Sequence, residues 1–396
     1  MRWEKVKLGD CCEITSSKRI FYSEYAAFGI PFYRSKEIIE RSQGKSISEP
    51  LYITNQRYDE IKCKFGTPVA GDMLLTSVGT IGIPYIVNAT DKFYFKDGNL
   101  TWFRRFTNKL YPQYLFYWIT SKEGVGVLNN VTIGSSQKAL TISALKNIEV
   151  TLPPIETQRR IADILSAYDD LIENNRKQIK LLEEAAQRLY KEWFVDLRFP
   201  GHEHTRIVDG IPEGWKKEPL SAIADVTMGQ SPKSEFYNHI GEGLPFHQGV
   251  GTYGTRFVKN ETYTTSYTRI AEAGSILFSV RAPVGRLNLT ENRIAIGRGI
   301  AALNHKSRFQ SFLFYMLKER FFKDNLVGNG SIFASISKDE LLKQQFMIPL
   351  KDIMEQYDEA ARNIDDKISG ASKQIELLIY ARDCLLPKLM SGEVEA

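Results

Sequence analysis

The sequence predicts an α+β chain built as a pseudo-two-fold tandem repeat: two β-rich domains separated by two long antiparallel coiled-coil helices. Three observations carry this expectation. Four stretches recur in the same order along the chain. Each copy opens with short β-branched and aromatic runs broken by Gly and Pro. Each copy closes on a long stretch whose apolar residues alternate at spacings of 4 and 3.

The repeat is weak but runs end to end. "RWEKVKLGDCCEIT" is echoed by "GWKKEPLSAIADVT" from Gly214, and "IPFYRSKEI" from Ile30 by "LPFHQGVGT" from Leu244. "AGDMLLTSVGTIG" from Ala70 returns as "AGSILFSVRAPVG" from Ala273, and "TISALKNIEVTLPPIETQ" from Thr141 as "SISKDELLKQQFMIPLKDIMEQ" from Ser335. The offset falls from 212 at Trp3/Trp215 to 196 at Leu145/Leu341, so the second copy is about 16 residues shorter.

Residues 1–153 read as the first β-rich domain, with strands such as "DMLLTSV", "GIPYIVNA", "KFYF" and "NLTWFRRF", and a more helical piece, "YPQYLFYWITSKEGVGVLNN". Pro153-Pro154 then ends the strand and bars helix from running backwards. Residues 154–196 form the first long helix, with a seam at Ile161, Leu165, Tyr168, Ile172, Asn175, Ile179, Leu182, Ala186, Leu189 and Trp193. Residues 197–213 are a polar linker and 214–349 the second β-rich domain. The second long helix, 350–390, carries the seam Tyr357, Ala361, Ile364, Ile368, Ala371, Ile375, Leu378, Arg382, Leu385 and Leu389, broken at Arg382, and 391–396 is a tail. Each helix has so wide an apolar stripe that it needs a partner, and the simplest partner for each is the other. Asn175 in the seam is either a tolerated polar residue or a register-fixing one.

Composition excludes several classes. A net charge of +5 and 43% hydrophobic residues are ordinary for a globular chain. Four cysteines, Cys11, Cys12, Cys63 and Cys384, have neither metal nor disulfide-framework spacing, and Cys11-Cys12 reads as a reduced pair in a strand. No signal core and no apolar run of ~18 residues occurs, which makes a cytoplasmic protein the expectation. "LPPI" lacks both the Asn or Asp and the aromatic residue of an adenine amino-methyltransferase tetrapeptide, and the dipeptide becomes Pro349-Leu350 in the second copy. No glycine-rich turn fits a nucleotide or S-adenosylmethionine, and "HEH" at 202–204 is a weak metal signal. The sequence therefore implies no catalytic residue, no metal and no cofactor in this chain. The paired acids Asp169-Asp170 and Asp365-Asp366 read as solvated helix faces or as sites for a partner's basic residues.

"LPPIETQRRIADILSAYDDLIENNRKQIKLLEEAAQRLYKEWFVD", the "IPEGW" that opens the second copy and the closing "LLPKLMSGEVE" resemble the specificity subunit of type I restriction-modification systems. The resemblance covers nearly the whole chain. It implies a non-catalytic subunit whose two target-recognition domains each read one half of a bipartite, asymmetric sequence in double-stranded DNA. The helices would set the gap, which suits two heads held ~40–50 Å apart, more than the ~34 Å turn of B-DNA. It also implies assembly with two methyltransferase (modification) subunits that supply S-adenosylmethionine, and, where the system restricts, two restriction subunits that add ATP and Mg.

Base reading needs paired donors and acceptors, and phosphate holding needs cations and hydroxyls. Polar loop residues at matching places in both copies are the candidates. Arg34, Ser35 and Lys36 face His247 and Gln248 in the second copy. Thr80 faces Arg281, and Ser135, Ser136, Gln137 and Lys138 face Asn329, Ser331 and Phe333. Lys138 and Arg281, long cations in Gly/Ser/Thr loops, are the leading ones. Two other classes compete: a coiled-coil scaffold whose heads bind protein, and a self-sufficient DNA methyltransferase.

Overall fold

A computed structural model of the protein describes residues 3–45, 47–134, 138–321 and 335–396. The chain forms two compact units: Met1–Arg176 with Lys373–Ala396, and Lys177–Ser372. Each unit is thus one β-rich head with one end of each long helix.

In the first unit the head is closed by its own ends. Strand Glu4–Lys7 pairs antiparallel with Glu149–Leu152, Glu4 opposite Leu152. The main sheet has the order Glu13–Thr15, Leu100–Arg104, Met73–Thr76, Pro84–Ile86, all antiparallel. Every residue of Met73–Thr76 is buried, as expected of a central strand covered on both faces. A second sheet orders Tyr25–Ala26, Leu51–Ile53, Ile30–Tyr33 and Tyr94–Phe95, with the last pair parallel. Helix Asn55–Phe65 is capped by Thr54, whose hydroxyl accepts from the Arg57 N–H, and stops at Gly66, φ +81°. Cys11 closes a short helix, Leu8–Cys11, instead of lying in a strand; that turn buries both Leu8 and Cys11. All four cysteines are free.

The predicted helical piece of this head is two helices, Pro112–Thr120 and Lys122–Val131. Pro112 occupies the first turn, where its missing N–H costs nothing. Tyr114, Leu115 and Trp118 of the first pack with Ile161, Ala162 and Leu165 from the start of the first long helix, Ile155–Phe194, and with Leu389 and Met390 from the end of the second, Lys351–Ser391.

The second unit repeats this plan. Lys216–Pro219 pairs with Gln345–Ile348, and the main sheet orders Ala224–Met228, Ile300–His305, Ile276–Ser279, Leu287–Leu289. Strand Leu244–His247 runs parallel to Ile294–Ile296, as Ile30–Tyr33 does to Tyr94–Phe95. Helix Gln310–Phe321 rests on Ala186, Tyr190 and Phe194 from the end of the first long helix, and on Tyr357 and Ala361 from the start of the second. Phe194 meets Phe312 at 5.2 Å and Tyr357 at 5.0 Å between ring centroids, both edge-to-face. Between strands Tyr263–Thr264 and Ile276–Ser279 there is only the short strand Ile270–Ala271, with no counterpart of helix Asn55–Phe65.

None of the seam positions is exposed along the two long helices; Asn175 is 6% exposed and Arg382 half-buried. Arg382 sits there because Asp169 takes its guanidinium at 2.6 Å. Asp169 also accepts from the Tyr117 hydroxyl at 2.7 Å, and Asp365 takes the same part for Tyr315 and Arg256. Asp169 and Asp365 therefore face their own heads, correcting the expectation of solvated acids; Asp170 and Asp366 beside them are exposed.

Candidate nucleic-acid interface

Three loops of the first head meet at the end of the main sheet. Ser77, just past strand Met73–Thr76, donates its N–H to Asn99 O at 2.8 Å, and its carbonyl accepts from the Leu140 N–H at 2.8 Å. The Gly79 N–H donates to Lys138 O at 3.3 Å, and the Ser35 hydroxyl to Asn99 O at 3.4 Å. Gly79 and Gly82, at φ +78° and +82°, make the turn that a side chain would strain. The segments 35–36, 77–82 and 138–140 are thereby brought together, with Thr80 and Lys138 exposed on them.

The charges at the first loop are partly spent within the head. Arg34 caps helix Ser35–Ser42: its N–H donates to Glu37 at 2.6 Å and its guanidinium pairs with the same buried carboxylate. Lys36 pairs with Glu49 at 2.9 Å, both largely exposed, an ion pair that a stronger anion can displace.

The second head repeats the cluster with other side chains. The Val280 N–H donates to Gly299 O at 2.9 Å, the Ile336 N–H to Val280 O at 2.9 Å, and the Gly299 N–H to Gln248 O at 3.0 Å. Gln248 and Arg281 are exposed and line one small hollow together with Gly299. A β-carbon on Gly299 would stand 2.3 Å from Gln248 O, so the close approach of these loops requires glycine. An amide beside a guanidinium offers one bidentate group suited to adenine and one suited to guanine.

The structure alters two details of the sequence pairing. Arg281 bridges to Ser335 as Val78 bridges to Ala139, so Arg281 stands opposite Val78 and not Thr80. His247 is fully buried, its Nδ1 2.8 Å from Thr252 Oγ1 and its Nε2 3.1 Å from Asn260 Oδ1. Burial holds its pKa below the ordinary histidine value. This corrects its place among surface groups: it braces the strand end that presents Gln248. Ser135, Ser136, Gln137, Asn329, Ser331 and Phe333 lie outside the described residues.

Joint residues escaped the sequence reading. Gln158 is fully buried; its amide oxygen accepts from the Tyr111 N–H at 2.9 Å and its nitrogen donates to Lys109 O and Pro153 O. In the second unit Asp358 accepts from the Phe312 N–H at 3.0 Å, doing the same work on helix Gln310–Phe321. A lone polar residue on an otherwise apolar helix face was the available signal. Among the described residues no three His, Cys, Asp or Glu converge on a metal position, and no helix is long and apolar enough to cross a membrane.

Comparison with known proteins agrees with this duplicated arrangement. The family model "Type I restriction modification DNA specificity domain" matches residues 1–184 and again 212–374. The protein named as the MjaX specificity subunit of a type I restriction enzyme in Methanocaldococcus jannaschii is 30% identical, over 99% of this chain and 93% of its own. The MjaIX specificity subunit of the same organism is 27% identical, with the same coverage. The crystal structure of a type I restriction-modification S subunit from M. genitalium has a TM-score of 0.61 at 17% identity, covering 98% of this chain and 96% of that one, and shows the shared fold. The chain therefore belongs to the family of type I restriction-modification specificity subunits.

Proposed function

We propose that the chain is the DNA-reading subunit of a type I restriction-modification enzyme, each head reading one half of a bipartite, asymmetric site. The observation that carries this is the duplicated loop cluster: one backbone framework, built once around Ser77 and Asn99 and once around Val280 and Gly299, presents different polar side chains. A scaffold that bound one protein twice would have reason to keep the same side chains at both places. On this reading the long helices set the gap and dock two methyltransferase subunits, and a restricting system adds two restriction subunits. S-adenosylmethionine, and ATP with Mg, belong to those partners, and the whole assembly works on chromosomal DNA in the cytoplasm. Adenine methylation and cleavage thus fall to other chains, and this one supplies the address.

Sequencing methylated host DNA after co-expression with the modification subunits tests the proposal. A two-part adenine-methylated motif with a fixed gap is expected. Exchanging residues 1–153 for those of another family member should change one half only, and deleting whole heptads from both helices should shorten the gap. A change in both halves on exchanging one head would sink the two-reader account.

A further inference from the structure

The first head has a basic cleft that the loop cluster does not account for. Helix Asn55–Phe65, without a counterpart among the described residues of the second head, forms one wall with Lys62 and Lys64. Lys18, Arg104 and Arg105 complete a cavity of about 530 Å³, and no carboxylate lines it. The nearest counter-charge, Glu13, is shared by Arg104 at 2.7 Å and Arg105 at 3.1 Å. Aromatic rings also support two of the cations: the Lys18 ammonium lies 4.7 Å from the centre of the Phe65 ring, and the Arg104 guanidinium, beside its pair with Glu13, 4.3 Å from that of Trp102. Aromatic support orders a cation without cancelling its charge. Arg104 also fixes the wall, donating to Phe65 O at 3.0 Å, while its Nε is buried with no hydrogen-bond partner.

Lysines in the last turn of a helix offset its dipole, and that alone would place Lys62 and Lys64 here. It does not explain why Lys18, Arg104 and Arg105 converge on the same hollow from other parts of the head. The position of the cleft is equally telling. Ser16, on its lining, accepts from the Gly98 N–H and donates to Leu100 O, both at 3.4 Å. Asn99, between those two residues, is the anchor on which the loop cluster is built.

We propose that this cleft is a phosphate site that grips the sugar-phosphate backbone of the duplex beside the half-site read by the first head. The inference rests on the DNA-reading role above. The grip is independent of base sequence and has no equivalent among the described residues of the second head, so the two halves of the site are held with unequal electrostatic contributions.

The test uses the chain assembled with its modification subunits, carrying Lys62→Gln and Lys64→Gln together, with Arg105→Gln as an independent variant. Affinity is measured across a salt titration on the methylated motif and on a duplex with both halves scrambled. The expected result is an equal fold-loss on both duplexes, and a salt dependence whose slope drops by about 1–2, at ~0.9 for each phosphate that is no longer neutralised. An unchanged slope in both cleft variants, with wild-type binding intact, overturns the cleft and leaves the reading role standing. Loss of saturable ATP binding in the variants, with an unchanged DNA slope, assigns the cleft to a free nucleotide and also overturns the proposal. Failure of the unaltered complex to bind any duplex overturns both.

Discussion

The Tyr117 hydroxyl donates to Asp169 at 2.7 Å, and one repeat later Tyr315 donates to Asp365 at the same distance. Duplication has kept the tyrosine–carboxylate pair that fastens each head to its helix, and has not kept the arginine that completes it. In the first unit Arg382 comes from the other long helix and is 28% exposed; in the second Arg256 comes from the head and is 2% exposed.

That difference sets unequal costs. Asp365→Ala leaves Arg256 charged and buried, with its Nε and Nη1 already lacking partners, and removes the acceptor of Ser311 as well. We expect a loss of about 3–5 kcal/mol, as for other broken buried pairs. Asp169→Ala exposes Arg382 to water more readily and should cost about 1–3 kcal/mol. Urea unfolding of the two variants checks the order, and the reverse order would refute this account of the joints.

Acid should loosen one unit selectively. All five histidines, His202, His204, His239, His247 and His305, lie within Lys177–Ser372. His247 and His305 are buried, and burial holds both below the ordinary value. The unfolded chain takes up their protons near pH ~6.5, while the folded unit resists until lower pH. Their stabilisation is therefore intact above that value and is lost as pH falls toward the folded pKa values, by up to about 1.4 kcal/mol per pH unit for each. The first unit has no histidine and should hold steady across this window. Hydrogen exchange at pH 7.5 and 5.5, corrected for intrinsic rates, reads each unit separately, and equal loosening of both would contradict the assignment.

Arg281→Ala should weaken binding by about 1–3 kcal/mol on the full site and relax discrimination in one half alone. Selection from a library randomised in both halves gives the result directly. Relaxation spread over both halves, or none, removes Arg281 from the reading surface.

Gly299→Ala supplies the same readout without deleting a polar group. The added carbon would stand 2.3 Å from Gln248 O, so the backbone that presents Gln248 beside Arg281 must shift. Binding in that half should fall at least tenfold while the first-head half keeps its preference. Wild-type affinity would mean that the loops need not meet so closely.

Much of the architecture was legible because burial imposes periodicity. The four echoes and the 4-and-3 spacing required no knowledge of partners, since each apolar seam residue carries the signal by itself. Asp169 and Asp365 were misread for the complementary reason: an acid on a helix flank looks solvated until the tyrosine and arginine that face it, distant in sequence, are placed. His247 looked like a surface group because a histidine after an apolar strand carries no mark of which way it points. The pairing of Thr80 with Arg281 was out of register by two residues: the stretches 70–82 and 273–285 are equal in length, and the bridges of Val78 and Arg281 put those two at the same position. The basic cleft was invisible for want of contiguity, since its cations come from positions 18, 62, 64, 104 and 105.

The division of the chain into units has a consequence for its synthesis. Lys177–Ser372 is one uninterrupted stretch, but the first head's core waits for Leu389 and Met390, which a ribosome delivers after that whole stretch. Vectorial folding is thereby inverted, and the N-terminal head is the later of the two to be finished. A truncated product would carry a complete second unit beside an unfinished first one, with the apolar surface of Ile161, Leu165 and Trp118 open to water. Premature release would then yield a chain marked for aggregation or proteolysis, not a half-functional reader.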